Sequence, residues 1–371
     1  MTAQEIPLVD LTYQHAQIER EIREGIDAVL SDSSFVLGPQ VKEFEKKWSD
    51  YCGTNFAVGV GNGTDAIELA LRAAGVGKDN EVIVPANTFV ATASAVLRTG
   101  ATLVLADCDD EFLLGPETTS KTVTSKTKAV VGVHLFGQAA PIEAIKKALP
   151  KEMILIEDMA QAQGARRFGV RVGGLGMAAA TSFYPGKNLG AFGDAGAVTT
   201  NSHEIAGHLR RLRNHGGEEK YEHVELGFNS RMDTLQAVVL NAKLACLDDW
   251  NRQRRQAAKN YELLLGAFPD IRLPGTLAGN EHVFHLYVIR VKNRDHVVRE
   301  LRVKGIGAGV HYPSPIHLLP AYSFLNYRKG SFPEAEAACD DIVSIPMFPG
   351  ITPDQQEQVA QVLIAATKRS K

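Results

Sequence analysis

The chain has 371 residues, of which 44% are hydrophobic and 22% charged, and its formal net charge is −3. This composition is that of a globular protein with room for more than one domain, and it lacks the basic excess that favours nucleic acid or anionic lipid. The N-terminus lacks the charged and then apolar segments of a signal peptide, and no apolar run reaches the roughly 18 to 20 residues that span a bilayer. We therefore expect a cytoplasmic protein that binds neither nucleic acid nor membrane.

The four cysteines predict neither a disulfide framework nor a zinc site, because no two of them form a C-x-x-C pair. Buried free thiols are the expected outcome. They are Cys52, Cys108, Cys246 and Cys339.

Short apolar runs rich in β-branched residues alternate with helical patterns, such as residues 65–74 and 92–99. Continuous apolar runs are typical of the buried strands of a largely parallel sheet with helical crossovers, so we predict an α/β fold. The predicted strands are 56–60, 81–84, 102–106, 129–133, 153–156, 179–183 and 195–199.

A long helix is predicted from residue 233 to about residue 267, because apolar residues recur there every three to four positions. Pro269 and Pro274 end it, and a segment with its own strand at 284–291 and further helices follows. We place a domain boundary inside this helix, which gives a large domain of residues 1–250 and a smaller C-terminal α+β domain of residues 251–371.

Gly61-Asn62-Gly63-Thr64-Asp65 follows a predicted strand and opens a helix. Glycines at such a turn let the backbone approach an anion, and the first amides of the helix together with the Thr64 hydroxyl can bind phosphate. The dinucleotide pattern G-x-G-x-x-G fails, since its third glycine would fall at Thr64. An ordinary tight turn between strand and helix is the alternative.

Asp158 follows the apolar run 154–156, at the end of a strand where α/β sheets place ligand sites. A buried carboxylate needs a cation or several hydrogen-bond donors, and the protonated ring nitrogen of a pyridine cofactor is one suitable partner. The alternative is that Asp158 caps a following helix.

Lys187 lies among small and loop-forming residues after another apolar strand. A lysine that loses solvation there becomes nucleophilic at neutral pH, as Schiff-base chemistry requires, whereas an ordinary surface lysine does not. Phe89 ends a strand-turn segment and could stack on a planar ring, with core packing as the alternative.

The loop at 311–317 carries His311 and Tyr312, and Pro313 and Pro315 keep it extended. We favour polar contacts to a hydroxylated substrate over metal binding, since no carboxylate or thiol lies nearby to complete a metal site.

Together these segments resemble the DegT/DnrJ/EryC1/StrS family of sugar aminotransferases, which have the fold type I scaffold of pyridoxal 5′-phosphate (PLP) enzymes. The fold that this resemblance implies is a large domain with a mixed, mostly parallel sheet flanked by helices, plus a smaller C-terminal domain. The similarity extends over nearly the whole chain, and its most specific stretches are 62–65, 157–161, 182–196, 227–235 and 311–318.

The resemblance implies PLP as the cofactor. Lys187 would hold it as a Schiff base and carry the proton during transamination. Asp158 would pair with the pyridinium nitrogen, Gln161 would hydrogen-bond the 3′ oxygen, and Phe89 would stack on the ring. The phosphate would be held by Gly63, Thr64 and Ser182.

The resemblance also implies a homodimer with shared active sites, in which Asn229 reaches the phosphate bound by the partner subunit. Dehydratases of the family carry histidine at the place of Lys187, which argues against dehydration here. The residues that look like substrate contacts are Tyr184, Arg231, His311 and Tyr312.

Within the family, the strongest likeness is to enzymes that convert dTDP-3-keto-6-deoxyhexose to the 3-amino-3,6-dideoxyhexose, with L-glutamate as the usual amino donor. Segments 183–190, 229–236 and 311–318 carry this likeness. A UDP-linked 3-keto uronic acid sugar and a 4-keto sugar are alternative substrates. An alternative of another class is a non-catalytic PLP-binding regulator, although no basic helix-turn-helix is visible.

Overall fold

The computed structural model describes residues 5–219 and 221–369. Residues 1–4, on which the expectation about a signal peptide partly rests, lie outside this range. The helices are α1 (Thr12–Asp32), α2 (Pro39–Cys52), α3 (Gly63–Ala73), α4 (Val90–Arg98), α5 (Pro116–Thr122), α6 (Ile142–Ala148), α7 (His203–Arg213), α8 (Thr234–Leu244), α9 (Leu247–Leu265), α10 (Arg294–Val303), α11 (Pro333–Asp341) and α12 (Pro353–Arg369).

The strands include all seven predicted ones, each within two residues of its predicted ends. They are β1 (Phe56–Val60), β2 (Glu81–Pro85), β3 (Thr102–Ala106), β4 (Thr127–Val133), β5 (Ile154–Asp158), β6 (Arg166–Arg167), β7 (Val170–Arg171), β8 (Ala178–Ser182), β9 (Gly196–Thr200), β10 (Ile271–Arg272), β11 (Asn280–Glu281), β12 (Tyr287–Val291) and β13 (Ile342–Ile345).

Seven strands form the central sheet in the order β1-β9-β8-β5-β4-β2-β3. The pairs β8–β5, β5–β4, β4–β2 and β2–β3 are parallel, whereas β9 runs antiparallel to both of its neighbours. This confirms the predicted mixed, mostly parallel sheet, which is flanked by helices. The sheet could be predicted from the apolar runs because most residues of these strands are buried on both faces of the sheet.

The parallel strands end at one edge of the sheet, and this edge is where the loops meet. Val133 at the end of β4 lies opposite Asp158 at the end of β5, and Asp158 lies opposite Ala180 in β8. The segments that follow β4, β5 and β8 therefore leave the sheet side by side. Two of the predicted chemical signals, those of Asp158 and Lys187, are brought together in this way.

The predicted single helix from residue 233 to about 267 is wrong, because it is two helices, α8 and α9, that meet at Ala245 and Cys246. The amide of Cys246 bonds to the carbonyl of Lys243, a tighter spacing than the α-helical one. Both junction residues keep right-handed helical dihedrals, so the apolar period continues across the break. The predicted strand at 284–291 begins only at Tyr287, since Phe284 has a φ of 43°, outside the extended region.

The apolar core consists of clusters around the central sheet and a separate cluster built by α9, α10, α12, β12 and β13. Along α9, Leu247 packs in the sheet clusters, whereas Tyr261 and Leu265 pack in the C-terminal cluster. We retain the domain division near residue 250 as a proposal, which this change of packing supports. Ile6 also packs in the C-terminal cluster, so the start of the chain crosses to that side.

The four cysteines are free thiols; Cys52, Cys108 and Cys339 are buried and Cys246 is partly buried. Within residues 5–219 and 221–369, no helix is long and apolar enough to cross a membrane.

Candidate active site

A cavity of about 670 Å³ opens at the edge where the parallel strands end. The loops after β4, β5 and β8 contribute to its wall, together with the N-terminus of α3 and the loop at 311–312. Ten of the twelve residues predicted for the site line it. These are Gly63, Thr64, Phe89, Asp158, Gln161, Ser182, Tyr184, Lys187, His311 and Tyr312.

The start of α3 forms one end of the cavity. Asn62 caps the helix, because its Oδ1 accepts a hydrogen bond from the amide of Asp65 at 2.8 Å. A Cβ on Gly63 would lie 2.5 Å from the Cβ of Ser182, so only glycine lets the two segments approach so closely. The start of α3 with Thr64 therefore lines the cavity next to Ser182. Such a spot suits a phosphate group.

Asp158 is the last residue of β5, and its carboxylate is buried in the cavity wall. Its Oδ2 accepts a hydrogen bond from the hydroxyl of Thr92 at 2.8 Å, and its Oδ1 accepts one from the amide of Ala160 at 3.1 Å. It forms no ion pair with the residues that the structure describes. A turn follows β5 instead of a helix, which removes the helix-cap alternative and leaves a buried anion suited to a cationic ligand group.

Glu157, next to Asp158, points to the opposite face of the sheet, as neighbouring residues of a strand must. Its carboxylate accepts hydrogen bonds from the amides of Gly173, Leu175 and Gly176 at 2.8 to 2.9 Å. The Nε2 of His134 lies 2.9 Å from it, and both side chains are fully buried. Glu157 therefore stabilises the structure on the face of the sheet opposite the cavity, whereas Asp158 faces the cavity.

Lys187 lies in a tight loop after β8. Its amide donates to the carbonyl of Tyr184 at 2.8 Å, and a Cβ on Gly190 would collide with the backbone of Pro185. Burial lowers the pKa of the Lys187 ammonium to about 8, and the nearby carboxylate of Asp158 partly opposes this by raising it. An amine with this pKa is partly neutral near physiological pH, and the neutral form is the nucleophile.

Phe89 presents its ring to the cavity, with 48% of the residue exposed, so it is not a core residue. Its ring centroid lies 5.2 Å from that of Tyr312. The hydroxyl of Tyr312 in turn accepts a hydrogen bond from the Nε2 of Gln161 at 3.0 Å, and the Oε1 of Gln161 accepts one from the amide of Phe136 at 2.7 Å. The fixed amide thus faces the cavity next to two aromatic rings, an arrangement suited to a flat heteroaromatic ligand.

His311 is held by a hydrogen bond between its Nδ1 and the hydroxyl of Ser344 at 2.8 Å. Burial and the positive charge of Lys187 lower its pKa, so the imidazole is neutral at physiological pH. No group of three or more metal-ligating side chains occurs in the described part of the chain. A neutral imidazole beside the phenol of Tyr312 suits hydroxyl groups of a ligand.

Asn229 and Arg231 are the two predicted site residues that do not line this cavity. The Oδ1 of Asn229 accepts a hydrogen bond from Arg231 at 2.9 Å, and a second guanidinium nitrogen of Arg231 lies 3.3 Å from the Oδ1 of Asn214. These side chains therefore form a separate polar cluster within one chain.

Three cavity features escaped the sequence analysis. Thr92 supports Asp158, His285 lines the wall beside Lys187, and Asn188 holds His285. Thr92 lies one helical turn after Thr88, and their hydroxyl groups are 3.0 Å apart, but two threonines at this spacing are common. A lone histidine before a strand carries no signal either.

The fold and the cavity together define a PLP-dependent aminotransferase. The family model for the DegT/DnrJ/EryC1/StrS aminotransferases matches residues 16–364, and the chain belongs to this family. It is thus a PLP-dependent aminotransferase of nucleotide-linked sugars.

Several curated relatives match nearly the whole chain. A dTDP-3-amino-3,4,6-trideoxy-alpha-D-glucose transaminase of Streptomyces venezuelae is 41% identical, covering 95% of this chain and 94% of the relative. A UDP-N-acetyl-3-dehydro-alpha-D-glucosamine 3-aminotransferase of Acidithiobacillus ferrooxidans is 42% identical, with 96% and 97% covered. A protein of Geobacillus stearothermophilus described as a pleiotropic regulatory protein is 44% identical, with 96% and 97% covered.

Solved structures agree in fold and in cofactor. S. venezuelae DesV, in complex with a ketimine intermediate, superposes with a TM-score of 0.95 at 40% identity, and 99% of each chain is covered. Bacillus subtilis ntda, with bound cofactor PMP (the amino form of PLP), has a TM-score of 0.90 at 29% identity, covering 99% of this chain and 87% of that one.

The cavity of this chain fits PLP by its own chemistry. It offers an anion-binding turn at α3, a buried carboxylate that forms no ion pair with the described residues, an exposed aromatic face and an amine of lowered pKa. These four features match the phosphate, the ring nitrogen, the ring face and the aldehyde of the cofactor.

Proposed function

We propose that this enzyme transfers the amino group of L-glutamate to C3 of a dTDP-linked 3-keto-6-deoxyhexose, giving the 3-amino-3,6-dideoxyhexose. The observation that carries the proposal is the convergence, in one cavity, of an amine of lowered pKa, a buried carboxylate and a phosphate-binding turn. The names of the relatives support position 3, since the transaminases of S. venezuelae and A. ferrooxidans both carry it.

The proposed roles follow from the position of each side chain. Bound PLP supplies an aldehyde that accepts the amino group and a ring that withdraws electrons from the reacting carbon. Lys187 binds the cofactor covalently and, as a free amine, moves the proton, because its pKa lies near physiological pH. Asp158, oriented by the hydroxyl of Thr92, keeps the ring nitrogen protonated.

The remaining proposed contacts fall into two groups. Those to the cofactor fix its ring and its phosphate and come from Gly63, Thr64, Phe89, Gln161 and Ser182. Those to the substrate come from Tyr184, His311 and Tyr312.

Three alternatives are compatible with the same site. The relatives differ in the nucleotide of their substrates: the name of the S. venezuelae relative contains dTDP, and that of the A. ferrooxidans relative contains UDP. A UDP-linked 3-keto sugar, such as a uronic acid, and a 4-keto sugar are therefore alternative substrates. A regulator without catalysis is the alternative of another class, which the name of the G. stearothermophilus relative favours.

The test is a panel of dTDP- and UDP-linked 3-keto and 4-keto sugars, each incubated with the PLP-loaded enzyme and glutamate. Release of 2-oxoglutarate measures the reaction. The proposal expects the highest kcat/KM with the dTDP-linked 3-keto-6-deoxyhexose. Preference for a UDP-linked sugar or a 4-keto sugar would overturn the substrate, and no turnover with any sugar would favour the regulator.

We also propose a homodimer in which each site takes Lys187 from one chain and Asn229 and Arg231 from the other. What supports this is that Asn229 and Arg231 lie outside the cavity of their own chain. Mixing Lys187→Ala with Arg231→Ala protein under conditions of subunit exchange then gives mixed dimers with one intact site. Random exchange makes about half the dimers mixed, so roughly a quarter of wild-type activity should return.

A matched control mixes Lys187→Ala with Asp158→Asn protein. Both residues belong to one chain's cavity, so each site of a mixed dimer keeps one lesion and activity should stay low. A tag pull-down verifies exchange in both mixtures. Equal activity in the two verified mixtures would show that Arg231 serves its own chain.

A further inference from the structure

His285 is a cavity-lining residue to which the proposed reaction has so far given no role. It lies in the short segment between β11 and β12, is 8% exposed, and shares the wall with Lys187, His311 and Tyr312.

A ladder of side-chain amides fixes the tautomer of His285. The Nδ2 of Asn251 donates to the carbonyl of Gln163 at 2.9 Å, so its Oδ1 is the atom that faces the Nδ2 of Asn188, also at 2.9 Å. The Nδ2 of Asn188 donates to the carbonyl of Val283 as well, which turns its Oδ1 toward the Nδ1 of His285 at 3.1 Å. Since that oxygen can only accept, Nδ1 carries the proton and Nε2 has a free lone pair.

The backbone around His285 is held as firmly as its ring. Arg254 donates hydrogen bonds to the carbonyls of Phe284 and Met347 at 3.1 and 2.9 Å, and lies 3.4 Å from that of His285. The backbone on either side of His285 bonds to the loop after β4. The amide of Val283 donates to the carbonyl of Gly137, and the amide of Leu286 donates to the carbonyl of Phe136. The ring, which bonds through Nδ1 to Asn188, is therefore attached to a well-supported backbone.

The ring is also kept uncharged. Burial lowers the pKa of His285 well below its usual value, and the positive charges of Lys187 and Arg254 and the nearby His311 lower it further. A neutral acceptor is unsuited to carboxylates and to phosphate, because these groups only accept hydrogen bonds, whereas O–H and N–H groups can donate to it. It is suited to the O–H group of a sugar.

Building on the proposed function, we propose that His285 is a substrate-binding residue whose Nε2 accepts a hydrogen bond from a hydroxyl group of the sugar. No described residue donates a hydrogen bond to this nitrogen, although it belongs to a residue of the cavity wall. An unmatched acceptor at such a site favours ligands with a hydroxyl there over ligands without one.

Two substitutions separate the two ring nitrogens. Asparagine at 285 places its amide near the position of Nδ1 and can keep the bond to Asn188, but it leaves nothing at Nε2. Glutamine at 285 places an oxygen near Nε2. The absorbance of the bound cofactor follows each half-reaction alone, with glutamate or with whichever 3-keto sugar nucleotide the wild type accepts.

We expect His285→Asn to weaken the sugar half-reaction about five- to tenfold, the effect of one neutral hydrogen bond, and to change the glutamate half-reaction less than about twofold. His285→Gln should recover most of the loss. His282→Asn is the control, since His282 is buried in the same segment and bonds to the amide of Phe284. It should leave the ratio of the two half-reactions unchanged.

Equal losses in both half-reactions, no loss at all, or no recovery with glutamine would each overturn the proposal. If His285→Asn does not fold, ¹⁵N NMR of the wild-type holoenzyme decides: Nε2 of His285 must be unprotonated at pH 7 and its resonance must move when the sugar nucleotide binds. A failure of the proposed function appears separately, as loss of wild-type turnover on the dTDP-linked sugar.

Discussion

Asp158→Asn is expected to lower the pKa of Lys187 in the enzyme freed of PLP, although it slows catalysis in the loaded enzyme. Two opposing effects set this pKa: burial lowers it, and the carboxylate of Asp158 raises it. The amide of asparagine removes only the second effect. At pH 7, a larger fraction of the Lys187 side chain should therefore be neutral in the variant than in the wild type, although Lys187 itself is unchanged.

The size of the starting effect follows from the shift itself. A lysine pKa of about 8 in place of the ordinary 10.5 leaves roughly 9% of the amine neutral at pH 7, about 300-fold more than usual. One further unit of lowering would raise this fraction to about 50%, and a second to about 90%. Trace acetylation with acetic anhydride between pH 6 and 10, read at Lys187 by mass spectrometry, measures the midpoint directly.

The wild-type midpoint should lie near pH 8 and that of Asp158→Asn below it. Asp194→Asn is the matched control, because Asp194 also lines the cavity but is exposed and does not contribute to the Lys187 shift. A midpoint in Asp158→Asn at or above the wild-type value would refute the assignment of Asp158 as the charge that faces Lys187.

Three further outcomes are expected. Lys187→Ala should abolish transamination, and borohydride should fix the cofactor of the wild type at residue 187; a label on another lysine would contradict the assignment. His311→Ala combined with Tyr312→Phe should raise the KM for the sugar nucleotide and spare the glutamate half-reaction, whereas equal damage to both would indicate a structural role. Lys243→Met should raise stability at pH 7 by up to about 3 kcal/mol, because burial lowers the pKa of Lys243 from 10.5 to about 8. The unfolded chain binds the extra proton between these values, so the wild type gains stability as pH rises from 8 to 10.5 and the difference in urea denaturation should shrink there.

Much of the fold could be predicted because buried parallel strands are apolar along their whole length. Each of the seven central strands was placed within two residues of its ends. The break between α8 and α9 could not be predicted, since Ala245 and Cys246 keep helical dihedrals and neither proline nor glycine marks the junction. The apolar periodicity shows which face of a helix is buried, so it cannot reveal a break across which the same spacing continues.

The residues of the candidate site also fall into those that the sequence could predict and those that it could not. Lys187 and Asp158 could be placed at one cavity because each lies at or after the end of an apolar strand, and the ends of parallel strands meet at one edge of the sheet. Thr92 and His285 were missed because their importance depends on which atoms they meet across the fold: Oδ2 of Asp158 in one case and Oδ1 of Asn188 in the other. No local pattern encodes such long-range pairs.

These contacts suggest how the charges of the site are arranged. Glu157 satisfies its carboxylate with backbone amides and His134 behind the sheet, which leaves Asp158 as the anion that faces the cavity from the end of β5. On the other side of Lys187, the imidazoles of His285 and His311 are held neutral by burial and by that lysine. The lysine therefore faces a carboxylate on the proposed cofactor side and uncharged imidazoles on the proposed sugar side. Such a division orients the cofactor by charge and leaves the sugar to be selected by its hydroxyl groups.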